Sequence, residues 1–390
     1  MSVTEAAGFR AAGVDAGLIT GARADLALLV ADQPAVASGV FTRNAFPAAP
    51  VALSRRHLAD GRARAVVVNA GQANAGTGED GLGDAAAVAE AAAHLLGASA
   101  DEILVCSTGL IGPRIPVDRI RGALPRAVEA LSGDGGGEFA RAILTTDAGP
   151  KECVVERGGL VVGGCVKGAG MVAPDLATML AFLTIDARVD AKVLDDVVRR
   201  SVAPVFNGLT IDACTSTNDT VLVFASGAGE VTAGPGTPGL DALESALAEA
   251  AENLAHKVAE GAEGATRSLV VRVEGAASDD DARRLGRAVA GSLLVKTAIF
   301  GGDPNIGRLL QAIGASGAAF DGRDVTVWLG REAVIAGGRI AALDEDAARA
   351  ALKERQVVVR VSAGNGTGRA TSLGCDLGYD YVRLNSEYST

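Results

Sequence analysis

Residues 167–183, KGAGMVAPDLATMLAFL, form the most unusual local sequence in the chain. They begin as a polar, glycine-rich loop, pass through Pro174 and Asp175, and end in a strongly apolar run typical of a buried strand. Thr178 stands at the junction, where spacing alone would make it a β-branched residue that starts a strand. The small neighbour Ala177 permits a second interpretation, in which the backbone bends and the Thr178 hydroxyl attacks the preceding carbonyl, leaving Thr178 as a new N-terminus.

Short apolar runs and stretches of helical period alternate along the rest of the chain. The mixture predicts an α/β or α+β protein in which helices pack on sheets. Two glycine-rich stretches, 132–138 and 227–239, are candidate domain edges. The apolar runs predict strands at 25–30, 65–69, 102–106, 160–166, 179–185, 220–224, 269–273, 292–299, 325–329 and 357–361. The periodic stretches predict helices at 83–96, 117–131, 191–202, 239–261, 280–290, 306–312 and 344–354.

The composition excludes several classes of protein. The 390 residues include 36 Lys and Arg against 47 Asp and Glu, a net charge of −11, whereas binding to a nucleic-acid backbone needs the opposite balance. The sequence contains no uninterrupted apolar run of about 18 residues and no pattern of a secretory signal. We therefore expect a cytoplasmic protein that binds neither nucleic acid nor membrane. The five cysteines are scattered without a C-x-x-C pair, which argues against disulfides and a zinc site.

Histidine is scarce, since the chain contains only His57, His94 and His256. An enzyme of this composition either uses one of these three or moves protons by another group. Neither a G-x-x-x-x-G-K-[ST] phosphate loop nor a G-x-S-x-G nucleophile elbow is present. The common local motifs therefore leave the chemistry open.

The segment around Thr178 resembles the self-cleavage signature of the ornithine acetyltransferase family, the glutamate N-acetyltransferases of arginine biosynthesis. The resemblance extends along the chain in the order typical of that family. It includes NAGQANAGTG (69–78), CSTGLIG (106–112), TTDAGPK (145–151), DACTSTNDT (212–220), AEGATR (262–267), VKTAIFGGDPNIGR (295–308) and GCDLGYDYVRLNSEYST (374–390).

The resemblance implies a fold and a processing step. The implied fold is an αββα layered sandwich like that of N-terminal-nucleophile enzymes, with a smaller C-terminal α/β part at about 280–390. The implied cut falls between Ala177 and Thr178, giving an α chain of residues 1–177 and a β chain of residues 178–390. The two chains are expected to stay associated and to assemble as a heterotetramer or a larger complex.

The resemblance also implies the reaction. Thr178 would take the acetyl group from N-acetylornithine, release ornithine, and pass the acetyl group to glutamate in a ping-pong exchange. A free α-amine has a pKa of roughly 7.7–8.0, so the new N-terminus could accept the hydroxyl proton without histidine. No metal and no cofactor are expected, although acetyl-CoA is a possible second acetyl donor.

Seven further residues match binding or catalytic positions of the family. Thr108 and Gly109 match the pair that stabilises the oxyanion, and glycine permits the close backbone approach that this role needs. The remaining five match substrate-binding positions, Lys167 being suited to a carboxylate and Glu263 to the ornithine ammonium group. They are Thr145, for which neighbouring Thr146 is an alternative, Lys167, Glu263, Asn385 and Thr390.

The chain departs from the family pattern at positions that bear on substrate choice. Gln72 replaces Asn, Gly76 replaces a frequent Cys, Ile306 replaces Trp, and AEGATR at 262–267 stands where GEGATK is usual. Two other functions remain open at this point. One is a self-cleaving aminopeptidase or amidase of related fold, in which water resolves the acyl-enzyme. The other is a non-catalytic, uncleaved binding protein.

Overall fold

The computed structural model describes residues 2–21, 23–173, 179–342 and 344–387. The described strands are β1 Phe9–Val14, β2 Leu26–Phe41, β3 Arg62–Gln72, β4 Ile103–Leu110, β5 Lys151–Arg157, β6 Leu160–Lys167, β7 Leu180–Ile185, β8 Arg188–Val189, β9 Thr220–Ala225, β10 Thr232–Ala233, β11 Ser268–Ala276, β12 Thr326–Leu329, β13 Glu332–Ala336, β14 Arg339–Ile340, β15 Gln356–Ser362 and β16 Gly368–Cys375. The described helices are α1 Ala49–His57, α2 Gly78–Leu96, α3 Val117–Glu129, α4 Gly136–Ala142, α5 Ala191–Val197, α6 Ala203–Asn207, α7 Pro238–Glu260, α8 Asp279–Gly291, α9 Leu293–Gly301, α10 Ile306–Gly314, α11 Glu345–Lys353 and α12 Tyr379–Glu387.

The long strand β2 connects the two halves of an eight-stranded sheet. The strands run in the order β4-β3-β2-β9-β7-β6-β5, with β1 paired to β2. The first half of β2 pairs with β1 and β3, and its second half pairs with β9. The pairing register with β3 shifts between Val30 and Ala35, where exposed Pro34 lacks an N–H to donate. This break divides the sheet into two layers.

Alternating side chains on these layers bury three separate hydrophobic clusters. Leu28 of β2 packs with α2 and α3, whereas the neighbouring Leu29 points into the space between the two halves of the sheet. Phe182 of β7 belongs to the same central cluster as Leu29. Leu183 points to the other face of β7 and packs with α5 and α7. The order is helices, sheet, sheet, helices, so the predicted αββα sandwich is confirmed.

A second, six-stranded sheet forms the C-terminal part. Its order is β14-β13-β12-β15-β11-β16, and α8 to α11 cover one face. Val271 of β11 packs under these helices, whereas Val270 packs on the opposite face with residues of α7. This sheet begins at Ser268, and α8 is the first element near position 280. The C-terminal sheet therefore lies directly against the layer that carries α7.

One predicted strand is wrong, because residues 292–299 form most of helix α9. The run LLVKTAIF is apolar almost throughout, and such a run does not distinguish a buried strand from a buried helix by periodicity. Ser292 decides the outcome locally, since its side chain accepts a hydrogen bond from the Val295 N–H and caps the helix. Buried Lys296 then donates to the Cys375 carbonyl at 2.5 Å.

The two glycine-rich stretches do not coincide with the change of sheet. Helix α4 begins inside 132–138 and packs on β1 and β2, and 227–239 contains β10 and the start of α7. Four of the five cysteines are buried, and Cys214 is exposed. Among the described residues, no helix is long and apolar enough to cross a membrane.

The central cluster should dominate stability. Phe182 is fully buried, and its ring meets that of Phe139 edge to face with centroids 5.1 Å apart. We expect Phe182→Ala to lower the free energy of unfolding by about 3–5 kcal/mol, since it leaves a cavity between the sheets. Phe46→Ala is the matched control, because Phe46 is 80% exposed. Thermal melts of both variants measure the difference, and equal melting temperatures would contradict this packing.

Candidate active site

A cavity of about 290 Å³ lies where β3, β4 and β6 end. Residues from both sides of the predicted cut line it. Those before the cut include Thr108, Gly109, Thr145 and Lys167, and those after it include Ser216, Asn218, Glu263 and Asn385. The cavity thus contains every described residue for which the resemblance implies a catalytic or binding role. A cavity of this size suits a small substrate.

Backbone packing at the end of β4 admits only glycine at position 109. Gly109 pairs in parallel register with Gly71 of β3 and has a φ of +126°. A β-carbon at position 109 would overlap the Gly71 carbonyl group. Gly109 therefore lines the cavity with backbone alone, and glycine is what permits the close approach of β3 and β4 at this point.

The ammonium group of Lys167 connects two hydroxyl groups of the cavity. It donates to Thr108 Oγ1 at 3.1 Å and to Thr145 Oγ1 at 2.7 Å. Because Lys167 can only donate, the Thr108 hydroxyl accepts this bond and keeps its own hydrogen for another acceptor. Thr146 also lines the cavity, but Thr145 is the residue in contact with Lys167.

A buried carboxylate, Asp147, lies behind this lysine and was missed from the sequence. Asp147 accepts from the ammonium group of Lys151 and from the Gly168 N–H at 2.8 Å, and its other oxygen lies 4.0 Å from Lys167 Nζ. Its side chain is completely buried. Lys167 and Lys151 therefore share this one aspartate, and the carboxylates of Glu263 and Asp219 also lie near enough to act on Lys167. The T-T-D-A-G-P-K spacing contains the signal, since Asp147 and Lys151 are four residues apart.

Burial and charge act on these groups in opposite directions. Burial lowers the pKa of Lys167, and the nearby carboxylates of Asp147 and Glu263 offset that effect only in part. Burial alone would raise the pKa of Asp147, but the ammonium groups of Lys167 and Lys151 outweigh it, so the pKa lies below its ordinary value. Asp147 is therefore ionised at neutral pH.

Glu263 and Asn385 contribute an acidic group and an amide to the lining of the cavity. Glu263 lies in the loop between α7 and β11, and its N–H donates to the Ala169 carbonyl at 2.9 Å. Asn385 of α12 donates from Nδ2 to Glu263 Oε2 at 2.9 Å. A side chain at Gly170 would overlap the Glu263 carboxylate, so this glycine leaves room for it. The cavity therefore has a cationic side at Lys167 and an anionic side at Glu263.

A polar network beneath the cavity was not predicted from the sequence. Asn218 donates from Nδ2 to the Ala73 carbonyl at 2.6 Å and to the Ser107 carbonyl at 2.8 Å, connecting the ends of β3 and β4. Ser107 in turn donates to Asn69 Oδ1 at 2.5 Å. Asn218 is 111 residues from Ser107 in sequence, so no local pattern could reveal the contact.

The departures from the family pattern fall in different places. Gln72 lines the cavity and donates to the Leu18 carbonyl at 3.2 Å. Ile306 is instead buried in the C-terminal core, outside the described lining of the cavity. Gly76 has a φ of +71°, with open space where a side chain would stand. Of these three, only Gln72 can contact a substrate directly.

Three of the predicted site residues, Ala177, Thr178 and Thr390, lie outside the described residues. The chain after the predicted cut is described from Met179, whose carbonyl accepts from the Thr220 N–H at 3.0 Å. Leu180 then pairs with Lys167 across the antiparallel β6–β7 ladder. The start of β7 is thereby placed beside the residue that connects Thr108 and Thr145.

Comparisons with known proteins agree along the whole chain. A family model described as the ArgJ family matches residues 10–390. The arginine biosynthesis bifunctional protein ArgJ of Symbiobacterium thermophilum is 46% identical and aligns with 100% of this chain and 98% of its own. The protein of that name from Thermobifida fusca is 44% identical over 100% of both chains. The crystal structure of arginine biosynthesis bifunctional protein argJ from Bacillus halodurans is 39% identical, with a TM-score of 0.52, and covers 54% of this chain and 100% of that one. The chain belongs to the ArgJ family.

Proposed function

We propose that this protein transfers an acetyl group from N-acetylornithine to glutamate through an acetyl ester on Thr178. One observation carries the proposal. The oxyanion pair Thr108 and Gly109, the cationic Lys167 and the anionic Glu263 meet in one cavity beside the start of β7. Membership of a family whose curated relatives are named arginine biosynthesis bifunctional proteins supports the substrate class.

Self-cleavage between Ala177 and Thr178 prepares the nucleophile. The second fragment would hold 213 of the 390 residues, about 55%, since 390 − 177 = 213. Because residues of both fragments line the cavity, we propose that the α and β chains remain together. We also propose that they assemble as a heterotetramer or a larger complex and act in the cytoplasm.

The reaction proceeds in two steps, acetylation of Thr178 and transfer of the acetyl group to glutamate. The Thr178 oxygen attacks the acetyl carbonyl carbon of N-acetylornithine while the α-amine of Thr178 accepts the hydroxyl proton. The amide C–N bond breaks, and that proton leaves with the ornithine nitrogen. The glutamate amine then attacks the ester carbonyl, the C–O bond breaks, and the Thr178 hydroxyl recovers a proton. N-acetylglutamate leaves, and no cofactor takes part.

The described residues stabilise the charge that develops in each step. The Gly109 N–H and the Thr108 hydroxyl are the proposed donors to the oxyanion, and the bond from Lys167 leaves the Thr108 hydrogen free to donate. The Lys167 ammonium group favours a substrate carboxylate, and Glu263 favours an ammonium group. An amino acid with both groups therefore has one orientation of complementary charge in this cavity.

Acetyl-CoA would use the same nucleophile. The word "bifunctional" in the names of the curated relatives fits a second acetyl donor. If acetyl-CoA is a donor, incubation of the protein with acetyl-CoA and glutamate, without N-acetylornithine, gives N-acetylglutamate and the free thiol of coenzyme A. The two alternative functions give other outcomes. An amidase releases acetate without glutamate, and a binding protein stays as one intact chain of 390 residues.

Thr178→Ala should abolish both the cut and the transfer, because it removes the attacking hydroxyl. Thr178→Ser is the matched control, since it keeps a hydroxyl and should still cleave. Intact-mass analysis is expected to show two parent fragments beginning at Met1 and Thr178, with one acetyl group gained on the second after addition of N-acetylornithine. Cleavage without glutamate-dependent release of ornithine would exclude the transferase assignment.

Lys167→Met should lower kcat at least about 10-fold, because the Thr108 hydroxyl loses the donor that orients it. Since burial lowers the Lys167 pKa, parent activity is lost as the pH rises through that lowered value, and the variant lacks this loss. Steady-state rates of fully cleaved protein across alkaline pH measure both effects. Lys192→Met is the control, because that lysine side chain is 85% exposed. An unchanged kcat would remove Lys167 from the oxyanion site.

Gly109→Ala should lower kcat by about 10²-fold or more, since the β-carbon forces the oxyanion backbone away from Gly71. Gly112→Ala is a close control. Gly112 also has a positive φ, +110°, but open space surrounds its added β-carbon. Both variants therefore carry backbone strain, and only Gly109→Ala carries the overlap. An equal loss of kcat in the two variants would show that backbone strain, and not the overlap with Gly71, lowers the rate.

A further inference from the structure

Residues 169–173, which we call the approach segment, lead directly into the segment that carries the predicted cut. Hydrogen bonds from described residues hold their backbone at five atoms, and each of these described partners lies after the cut. The bonds are Glu263 N–H to the Ala169 carbonyl at 2.9 Å, Met171 N–H and Val172 N–H to the Asp212 carboxylate at 2.5 and 2.8 Å, Ile211 N–H to the Val172 carbonyl at 2.5 Å, and Thr215 Oγ1 to the Ala173 carbonyl at 2.9 Å.

Asp212 holds this segment in an unfavourable conformation. Met171 has a φ of +54° and Ala213 a φ of +58°, in the left-handed region that residues with a β-carbon rarely occupy. Met171 donates its N–H to Asp212, and Ala213 follows Asp212 in sequence. Such conformations persist only where surrounding contacts impose them. The Asp212 carboxylate supplies contacts beside both residues, because it accepts from the Met171 and Val172 N–H groups and, at 3.2 Å, from the Cys214 N–H.

The C-terminal helix reaches the same carboxylate. Tyr381 of α12 donates from its hydroxyl to Asp212 Oδ2 at 3.2 Å. None of the described residues of α12 is buried, so the helix rests on few contacts. Besides Tyr381 these include Asn385 with Glu263 and the ring of Tyr379 against Phe300. Docking of α12 is therefore coupled to the shape of the approach segment through Tyr381 and Asp212.

We propose that Asp212 and Tyr381 form a positioning clamp for self-cleavage, so that the cut before Thr178 is made efficiently only after α12 has docked. The proposal rests on the self-cleavage proposed above. Attack of a hydroxyl on its preceding carbonyl needs a near-attack geometry, and an error of about 1 Å can cost roughly 10²-fold in rate. The clamp fixes the chain on the α side of the cut. Because Tyr381 of α12 contacts the same carboxylate, the clamp is complete only when α12 has docked.

The test follows the disappearance of the full-length chain during cell-free synthesis and chase, by gel and intact mass. Asp212→Asn keeps the shape of the side chain but turns an amide N–H₂ donor toward the backbone N–H of either Met171 or Val172. We expect this variant to cleave at least about 10-fold more slowly, the factor that corresponds to losing one bond to a charged group. Tyr381→Phe removes only the hydroxyl and should cleave about 3-fold more slowly. Tyr379→Phe on the same helix is the matched control and should cleave at the parental rate.

Melting temperature separates positioning from folding. Tyr381→Phe should keep the parental melting temperature while its cleavage slows, so it decides the question even if Asp212→Asn does not fold. Cleavage of Tyr381→Phe at the parental rate, or equal slowing in Tyr379→Phe, overturns the clamp. If the parent chain itself is not cut before Thr178, the proposed function fails instead. If the parent is cut and the variants cleave at the parental rate, only the clamp is refuted and the proposed function is retained.

Discussion

The antiparallel pairing of β6 with β7 is the constraint on which the site depends. It sets Lys167 opposite Leu180, and therefore fixes the two ends of the chain that flank the predicted cut. Because β7 also pairs with β9 inside the sheet, its start cannot shift without breaking two ladders. The sandwich thus supplies a rigid frame, and the segment that is expected to react lies between two anchored ends.

Electrostatics at the site are local and differ from the charge of the molecule. The chain carries a net charge of −11, which opposes the approach of an acidic substrate. Lys167 and Lys151 share one aspartate, Asp147, in a buried environment where charges interact more strongly than in water. The Asp147 carboxylate therefore offsets part of the effect by which burial lowers the pKa of Lys167.

Much of the fold could be predicted from local sequence, because short apolar runs indicate strands such as β7 and helical period indicates α7. The error at 292–299 arose where an apolar run has no clear period, and a cap at Ser292 decided the structure. Thr108 and Gly109 could be named only through the resemblance to the family, because a glycine at a strand end by itself indicates an ordinary turn. Asn218 and Tyr381 could not, since their partners lie more than 100 residues away.

The sequence by itself determined the family, because motifs in a fixed order along the chain carry the resemblance, and that resemblance implied the layered fold class. The proposed threonine nucleophile with an α-amine base would also account for the scarcity of histidine. Only the tertiary structure decided which hydroxyl meets Lys167, how Asp147 offsets its charge, and that the C-terminal helix contacts the approach segment. These contacts depend on how the sheets and loops pack in space, and no short-range pattern records the distance between atoms from separate parts of the chain.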